Sequence, residues 1–166
     1  MIFRESNLED VEAMARIIQL CQDHHHLKSE LDWSKESLQQ AMTESSGKVL
    51  GSYLALELIG FILFKELPHS ADSRDFMVKK PNKKSKNSLE VWCLATEPRH
   101  QGMGVMSALL SRLKAMSNEI WLEVHEANTV AINFYKNQRF QQVGLRPNYY
   151  KDGKKAVLFT WKEENE

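Results

Sequence analysis

A strand-to-helix junction with two closely spaced glycines constrains this chain more than any other feature of its sequence. The apolar run at residues 89–96 leads into Arg99-x-x-Gly102-x-Gly104, and a helix is predicted directly afterwards. Glycines in such a turn let the backbone pass close to a bulky group and leave amide hydrogens pointing outward. Apolar residues at helical spacing predict that burial fixes the positive end of the helix: Met106, Leu109, Leu110, Leu113 and Met116. The junction therefore predicts a phosphate-binding site.

Two better-known phosphate-binding loops do not fit this junction. A Walker loop has a lysine and then a serine or threonine after its last glycine, and these do not follow Gly104. The dinucleotide fingerprint has a third glycine at the position that Ser107 occupies here. A tight turn at the start of a helix, without any ligand, is the alternative interpretation.

Composition limits the protein to an ordinary globular class. The chain has 166 residues, 42% hydrophobic and 27% charged, which is enough for one domain with a core. Basic and acidic residues both number 22, so no net field draws the chain to nucleic acid or to a membrane. Cys21 and Cys93 have neither zinc-ligand spacing nor a disulfide framework. With a charged N-terminus and no long apolar run, we expect a cytoplasmic protein without a membrane segment.

Periodicity and capping signals predict a strand, two helices, three strands, a helix, a strand, a helix and two strands. Ser6-x-x-Glu9 predicts the cap of the first helix, and Ser34 and Asn128 predict the caps of the second and the last. A turn near Ile59-Gly60 is expected between strands at residues 48–58 and 60–66. The last two strands are predicted at residues 140–150 and up to residue 161, with a turn at 151–154.

Some polar and aromatic residues have more than one interpretation. Residues 68–87 contain five lysines and Pro81, which predicts a mobile loop, with docking onto an acidic or ribosomal surface as the alternative. The run Asp23-His24-His25-His26 lacks the spacing of metal ligands, so no metal site is predicted. Trp33 is expected to pack on Leu38 as a hydrophobic staple, with a place in the wall of a substrate site as a second possibility.

The second half of the chain carries motifs that resemble a known family. It contains Trp121-Leu122-Glu123-Val124-x-x-x-Asn128-x-x-Ala131-x-x-x-Tyr135, then Phe140, then Gly144-x-Arg146-x-x-Tyr149-Tyr150. Together with the glycine junction, this pattern resembles the GNAT superfamily of N-acetyltransferases, and within it the RimI type of ribosomal-protein alanine N-acetyltransferases. The resemblance is close over residues 89–161 and absent over 68–87. It implies one α/β domain over residues 1–166, a GNAT fold with a mixed, splayed central sheet and helices on both faces.

The resemblance also implies a role for each matching residue. Acetyl-CoA would be the cosubstrate, and its ligands would be Trp92, Cys93, Leu94, Arg99, His100, Gln101, Gly102, Met103, Gly104, Val105 and Asn128. Glu123 would be the general base, with Glu90 as a competing candidate, and Tyr135 would be the general acid. A base is needed because a protonated amine cannot attack a thioester, and an acid is needed because the departing thiolate takes up a proton.

Departures from the family pattern leave the acceptor open. Arg139 stands where the family has a glycine after the last helix, which predicts a different helix end. Thr96 replaces a usual proline, and Lys154 and Lys155 stand where an acidic residue is common. The resemblance favours a protein N-terminus of the ribosomal alanine kind. The alternatives are acetylation of a lysine or a small-molecule amine, and a catalytically silent acyl-CoA-binding module.

Overall fold

The computed structural model describes residues 1–25, 33–67 and 87–163, and the main elements in these ranges follow the predicted order. The predicted loop at 68–87 lies outside the described residues, apart from Asn87 at the start of a strand. Short 3-10 turns at Leu8–Asp10 and Pro98–His100 precede the first and third helices. The bounds are β1 Ile2–Glu5, α1 Val11–His25, α2 Lys35–Thr43, β2 Lys48–Leu54, β3 Glu57–Leu67, β4 Asn87–Thr96, α3 Val105–Ala115, β5 Ser117–His125, α4 Thr129–Asn137, β6 Gln141–Arg146 and β7 Ala156–Lys162.

These strands form one mixed sheet in the order β1-β2-β3-β4-β5-β7-β6. Neighbouring strands run antiparallel, except that β4 and β5 pair in parallel. A parallel pair needs a crossover connection, and α3 supplies it here. The glycine junction therefore lies at the carboxyl end of β4, in the centre of the sheet.

Apolar side chains cover both faces of the sheet. On β3, Ile59, Ile62 and Phe64 pack into a cluster with α3 and α4, whereas Phe61 and Leu63 pack into a second cluster with α1 and α2. This alternation is expected of a strand that is buried on both sides. The prediction of an α/β fold with helices on both faces of a mixed sheet is confirmed.

The turn between β2 and β3 lies earlier than predicted. The strands are joined at Ala55 and Leu56, whereas Ile59 and Gly60 lie inside β3. A Cβ atom at Gly60 would come within 2.9 Å of Val105 Cγ1. This glycine therefore permits the close approach of α3 to the sheet and does not form a turn.

The cap before α1 lies one residue later than predicted. Asn7, and not Ser6, caps the short 3-10 turn, and Asp10 completes a capping box by accepting a hydrogen bond from the Asn7 amide at 3.1 Å. The Ser6 hydroxyl lies 2.6 Å from the Tyr53 hydroxyl instead. The Ser6 side chain, which the local pattern predicted as the helix cap, thus makes a tertiary hydrogen bond instead.

The predictions for the ends of α2 and α3 have different outcomes. The cap of α2 is confirmed, because Ser34 Oγ accepts a hydrogen bond from the Ser37 amide at 3.2 Å. The apolar stripe of α3 is shorter than predicted, because Leu113 is buried but Met116 is the C-cap residue and is 46% exposed.

The end of α4 has the geometry for which glycine is usual. Arg139 adopts a left-handed conformation with φ of 62°. Its amide donates to the Lys136 carbonyl at 3.0 Å, and the Phe140 amide donates to the Tyr135 carbonyl at 3.0 Å, which is a Schellman motif. The prediction of a different helix end is wrong, since the arginine takes this conformation despite a cost of roughly 1 kcal/mol.

The last hairpin has a shorter first strand than predicted. β6 ends at Arg146, and the chain then passes through a turn in which the Gly153 amide donates to the Tyr150 carbonyl at 2.9 Å. Gly153 has a φ of 78°, as the predicted turn requires. Within the described ranges, none of the helices is long and apolar enough to cross a bilayer.

Candidate active site

Strands β4 and β5 separate partway along their length. Their parallel register covers β4 from Asn87 to Val91 and goes no further, while β4 stays paired with β3 as far as Thr96. The register with β3 skips Trp92, which marks a β-bulge at the point of separation. Beyond Val91, the edge of β4 that faces β5 is therefore not paired with another strand that the structure describes. An extended ligand can pair with such an edge as a further strand would.

A cavity of about 560 Å³ lies beside the open edge of β4 from Cys93 onward, a size typical of small-molecule sites. Its walls come from β4, the glycine junction, the start of α3, α4 and the end of α1. The residues predicted from the sequence that line it are Cys93, Leu94, His100, Gln101, Gly102, Gly104, Val105, Asn128 and Tyr135. The predicted residues outside the lining are Trp92, Arg99, Met103, Glu90 and Glu123.

The two glycines of the junction have left-handed backbones. The φ angles are 74° at Gly102 and 80° at Gly104, and a Cβ atom at either position would meet no atom within 4 Å. Gly104 is the N-cap residue of α3, so the first amide groups of that helix have no intrahelical partner. Open space, a left-handed turn and a helix N-terminus together fit a bound diphosphate.

Arg99 and Met103 belong to the junction but lie outside the cavity lining. The Arg99 guanidinium binds two carboxylates, with Nε 2.9 Å from Glu97 Oε2 and Nη2 2.6 Å from Glu57 Oε1. Met103 lies between the glycines and is 66% exposed. The spacing of the motif does not reveal the direction of Arg99, because one of its two partners, Glu57, is distant in the sequence.

Tyr135 reaches the cavity from α4 and is 5% exposed. Its ring lies edge-on to Phe140, with centroids 5.6 Å apart. Burial, with smaller contributions from Cys93 and Tyr150, raises the pKa of the Tyr135 phenol. The phenol therefore carries its proton at neutral pH. Asn128 caps the same helix through its Oδ1 and also lines the cavity.

Glu123 lies on the face of the sheet opposite α3 and α4. Its neighbours Leu122 and Val124 point into the core under those helices. The Glu123 side chain is 21% exposed, and its Oε1 lies 2.9 Å from Arg146 Nη1. The Tyr149 hydroxyl donates to Glu123, and this hydrogen bond raises the pKa of Tyr149. The carboxylate is thus held between a guanidinium on β6 and a phenol in the β6–β7 connection.

Glu90 lies on the same face, one strand away. In the β4–β5 register it is opposite Trp121, two residues before Glu123. Glu90 Oε2 accepts a hydrogen bond from Trp92 Nε1 at 2.9 Å. The negative charges of both glutamates contribute to the raised pKa of Tyr149. The two candidate bases therefore belong to one surface.

The structure adds residues to which the sequence analysis gave no role. Glu97 is buried, and its carboxylate contacts Arg16, Arg99 and His100. Arg146 and Tyr149 hold Glu123, and their place in the Gly144-to-Tyr150 motif was their sequence signal. Cys21 lines the cavity. Trp33 also lines it and packs against the cluster under α1 and α2, which agrees with both of its interpretations.

The histidine run at 24–26 lies outside the side chains that the structure describes, so the prediction for it stays a prediction. Among the described side chains of residues 1–25, 33–67 and 87–163, no group of three or more His, Cys, Asp or Glu is arranged to hold a metal ion. His26 lies outside these ranges.

A model of the acetyltransferase (GNAT) family matches residues 11–140, a range that includes the open edge of β4, the glycine junction and Tyr135. The chain belongs to the GNAT family. The resemblance inferred from the sequence is thereby confirmed, and the splayed β4 and β5 agree with it.

Curated relatives of this GNAT protein include several N-alpha-acetyltransferases. That of Sulfurisphaera tokodaii is 32% identical over 123 residues, which cover 70% of this chain and 65% of the relative. The ribosomal protein bS18-alanine N-acetyltransferase of Haemophilus ducreyi is 37% identical over 62 residues, which cover 34% of this chain and 43% of the relative. The chain spans between 30% and 65% of the length of the curated relatives it matches.

Solved structures share the GNAT fold over nearly the whole chain. The ribosomal-protein-S18-alanine N-acetyltransferase from Escherichia coli has a TM-score of 0.71 at 20% identity, covering 99% of this chain and 96% of that one. Arabidopsis thaliana NAA60 in complex with acetyl-CoA has a TM-score of 0.70 at 20% identity, covering 97% of both chains. At this level of identity the likeness shows the fold.

Proposed function

We propose that this GNAT protein transfers the acetyl group of acetyl-CoA to the free amine of a protein N-terminus. The observation that carries the proposal is the cavity at the open edge of β4, whose lining includes both glycines of the junction and Tyr135. The solved complex of A. thaliana NAA60 with acetyl-CoA supports the choice of donor, because the two proteins share a fold.

The chain offers main-chain groups for the length of such a donor. Acetyl-CoA would supply an acetyl group activated as a thioester. The amide groups from Gly102 to Val105 would bind its diphosphate at the start of α3. The open edge of β4 at Trp92, Cys93 and Leu94 would hydrogen-bond to the pantetheine amides as a further strand does. Asn128, at the cap of α4, would add a side-chain contact.

Two side chains would move the protons of the reaction. Glu123 would accept a proton from the incoming amine, with its carboxylate oriented by Arg146 and Tyr149. Tyr135, which lines the cavity and carries its proton at neutral pH, would donate that proton to the departing sulfur. Glu90 is the second candidate for the base, since it lies on the same surface as Glu123.

The relatives support a protein N-terminus as the acceptor. Three of them are named as N-alpha-acetyltransferases, and the H. ducreyi relative is named for the alanine of ribosomal protein bS18. We therefore propose an N-terminal alanine of a ribosomal protein as the acceptor. On the surface with Glu90 and Glu123, both glutamates are partly exposed and Tyr149 is 41% exposed, and we propose this surface as the place where the acceptor binds.

Incubation with acetyl-CoA and a panel of peptides tests the proposal. The panel contains a peptide that copies the alanine N-terminus of ribosomal protein bS18, the same peptide with a blocked amine, and blocked peptides with an internal lysine. Mass spectrometry locates each acetyl group. We expect acetylation of the free N-terminal amine and no product from its blocked counterpart.

Three other results would contradict the proposal in different ways. Acetyl groups on lysine side chains would replace the acceptor by a lysine. Acetyl-CoA binding without thioester cleavage in any mixture would indicate a silent binding module. Failure to bind acetyl-CoA at all would remove the donor from the proposal.

A further inference from the structure

Glu97 occupies the position between β4 and the glycine junction and is 4% exposed. Its amide donates to the Ile59 carbonyl of β3 at 2.9 Å, and its carbonyl accepts a hydrogen bond from the His100 amide at 2.8 Å. The main chain of this residue therefore ties the sheet to the start of the junction.

The carboxylate of Glu97 contacts the side chains of two arginines and one histidine. Its Oε1 accepts a hydrogen bond from Arg16 Nη1 of α1 at 3.2 Å, and its Oε2 accepts from Arg99 Nε at 2.9 Å. His100 Nδ1 lies 3.1 Å from the same Oε2. An ionised carboxylate only accepts hydrogen bonds, so Nδ1 of His100 carries a proton and this ring, which lines the cavity, has one fixed orientation.

The surroundings of Glu97 keep it ionised. Burial by itself would raise the pKa of its carboxyl, but the hydrogen bond from Arg99 and the charges of Arg99, Arg16 and His100 outweigh burial and lower the pKa. Glu57, at the start of β3, adds a second carboxylate, with its Oε1 bound to Arg16 at 3.3 Å and to Arg99 at 2.6 Å. The two arginines thus have two carboxylates as partners.

This arrangement leaves the charge of Arg99 on the outside of the junction. Arg99 does not line the cavity, and the lining residues that the structure describes include no lysine or arginine. His100 is the member of the Glu97 network that does line it, with a side chain that is 15% exposed. A diphosphate in the cavity would meet backbone amides and His100, and not the guanidinium of the motif.

We propose that Glu97 is a positioning residue for the diphosphate-binding junction, and that Arg99 acts as a brace in the same network. The carboxylate orients His100 and fixes the path of the chain from Pro98 to Gly104. This inference rests on the proposed acetyl-CoA function of the cavity. Recognition by several amides depends on their fixed spacing, so a small shift of the junction weakens all of these contacts together.

The Glu97→Gln variant tests this role with two acetyl donors. S-acetylpantetheine has the thioester of acetyl-CoA but lacks the diphosphate. We expect kcat/KM for acetyl-CoA to fall about tenfold through KM, because glutamine offers one acceptor oxygen where the carboxylate binds three donors. For S-acetylpantetheine, kcat/KM should stay within about twofold, since this donor does not use the junction.

Two further variants complete the experiment. Glu66→Gln is the matched control, because Glu66 on β3 is also ion-paired, to Lys48 at 2.8 Å, but lies outside the network. It should leave both donors within about twofold of wild type. Arg16→Gln removes a hydrogen-bond donor to Glu97 that does not line the cavity. It should raise KM for acetyl-CoA by about threefold and leave KM for S-acetylpantetheine unchanged. Arg16→Gln also serves if Glu97→Gln does not fold.

The outcomes separate this inference from the function on which it rests. Wild-type protein that fails to bind acetyl-CoA would contradict the proposed function. Wild-type protein that prefers acetyl-CoA to S-acetylpantetheine, with the same preference in Glu97→Gln and Arg16→Gln, would overturn only the inference. An equal loss for both donors would also overturn it, because Glu97 would then stabilise the fold without acting on the junction.

Discussion

The two ends of the candidate active site are built from different materials. At the glycine junction, the groups that a ligand would contact belong to the main chain. Glu97, which is 4% exposed, supports this main chain from the side away from the ligand. The surface with Glu90 and Glu123 is the proposed acceptor face. There, the groups that a ligand would contact are the side chains of Glu90, Glu123 and Tyr149, which are partly exposed. Both Glu97 and Glu123 bind arginine, but the Glu97 side chain is 5% exposed and that of Glu123 is 21% exposed.

The two ends should therefore differ in how well they tolerate side-chain substitutions. Main-chain recognition is independent of side-chain identity, so the donor end suits a group that is the same in every turnover. Side chains on an exposed face can be exchanged one at a time at little cost in stability, so the acceptor end suits a group that varies among relatives. Substitutions at the two ends should therefore affect different kinetic constants.

The largest effect is expected where the two ends meet. Tyr135→Phe removes the proposed proton donor, and kcat should fall by about 100-fold or more while the Kd for acetyl-CoA changes little. Steady-state kinetics and calorimetric titration measure the two quantities. Tyr53→Phe is the matched control, because that buried hydroxyl binds Ser6 and Asp10 away from the cavity; its melting temperature should fall and its kcat should not.

The second prediction concerns the base on the acceptor face. Glu123→Gln should lower kcat by about 100-fold, whereas Glu90→Gln should lower it by less than about fivefold. The reason is that Glu123 alone is held by both Arg146 and Tyr149. Kinetics at saturating acetyl-CoA would compare the two variants. A larger loss in Glu90→Gln would exchange the roles of the two glutamates.

The groups that hold Glu123 should have a smaller effect. Tyr149→Phe removes the hydroxyl that donates to Glu123 and leaves the ring in place. We expect KM for the acceptor peptide to rise by about fivefold and KM for acetyl-CoA to stay unchanged. A change in the acetyl-CoA constant instead would break the separation between the two ends.

The smallest effect is a dependence of stability on pH at the donor end. The pKa of Glu97 is lowered in the folded protein, so its stabilising contribution is present above its ordinary value of 4.5 and is lost as the pH falls through the lowered value. Urea unfolding of wild type and Glu97→Gln should show a difference in free energy that narrows below pH 4.5. A difference that is constant into the acid range would contradict the ionised network.

The sequence predicted the parts of the fold that depend on local pattern. The order of elements and the alternation along β5 follow from hydrophobic periodicity. The turn at Gly102 and Gly104 was predictable because glycine readily adopts a positive φ. The β2–β3 turn was misplaced because Gly60 resembles a turn residue, although it serves packing against Val105. Such a contact joins residues that are distant in the chain, and no local pattern contains it.

The site was predictable to a similar depth. Asn128 and Tyr135 and most residues of the glycine junction line one cavity, because their motifs have a fixed relation to the backbone, whereas Arg99 and Met103 of the same junction do not. The direction of Arg99 was not predictable, since it depends on Glu57, which is 42 residues away in the sequence. The end of α4 shows the same limit, because Arg139 takes a conformation that its residue type does not suggest.

A crystal structure of the protein with acetyl-CoA tests the central claim most directly. We expect a diphosphate against the amides of Gly102 to Val105, a pantetheine arm along the edge of β4 from Trp92 to Leu94, and the thioester beside Tyr135. A nucleotide bound elsewhere on the protein, with the gap between β4 and β5 left empty, would contradict it.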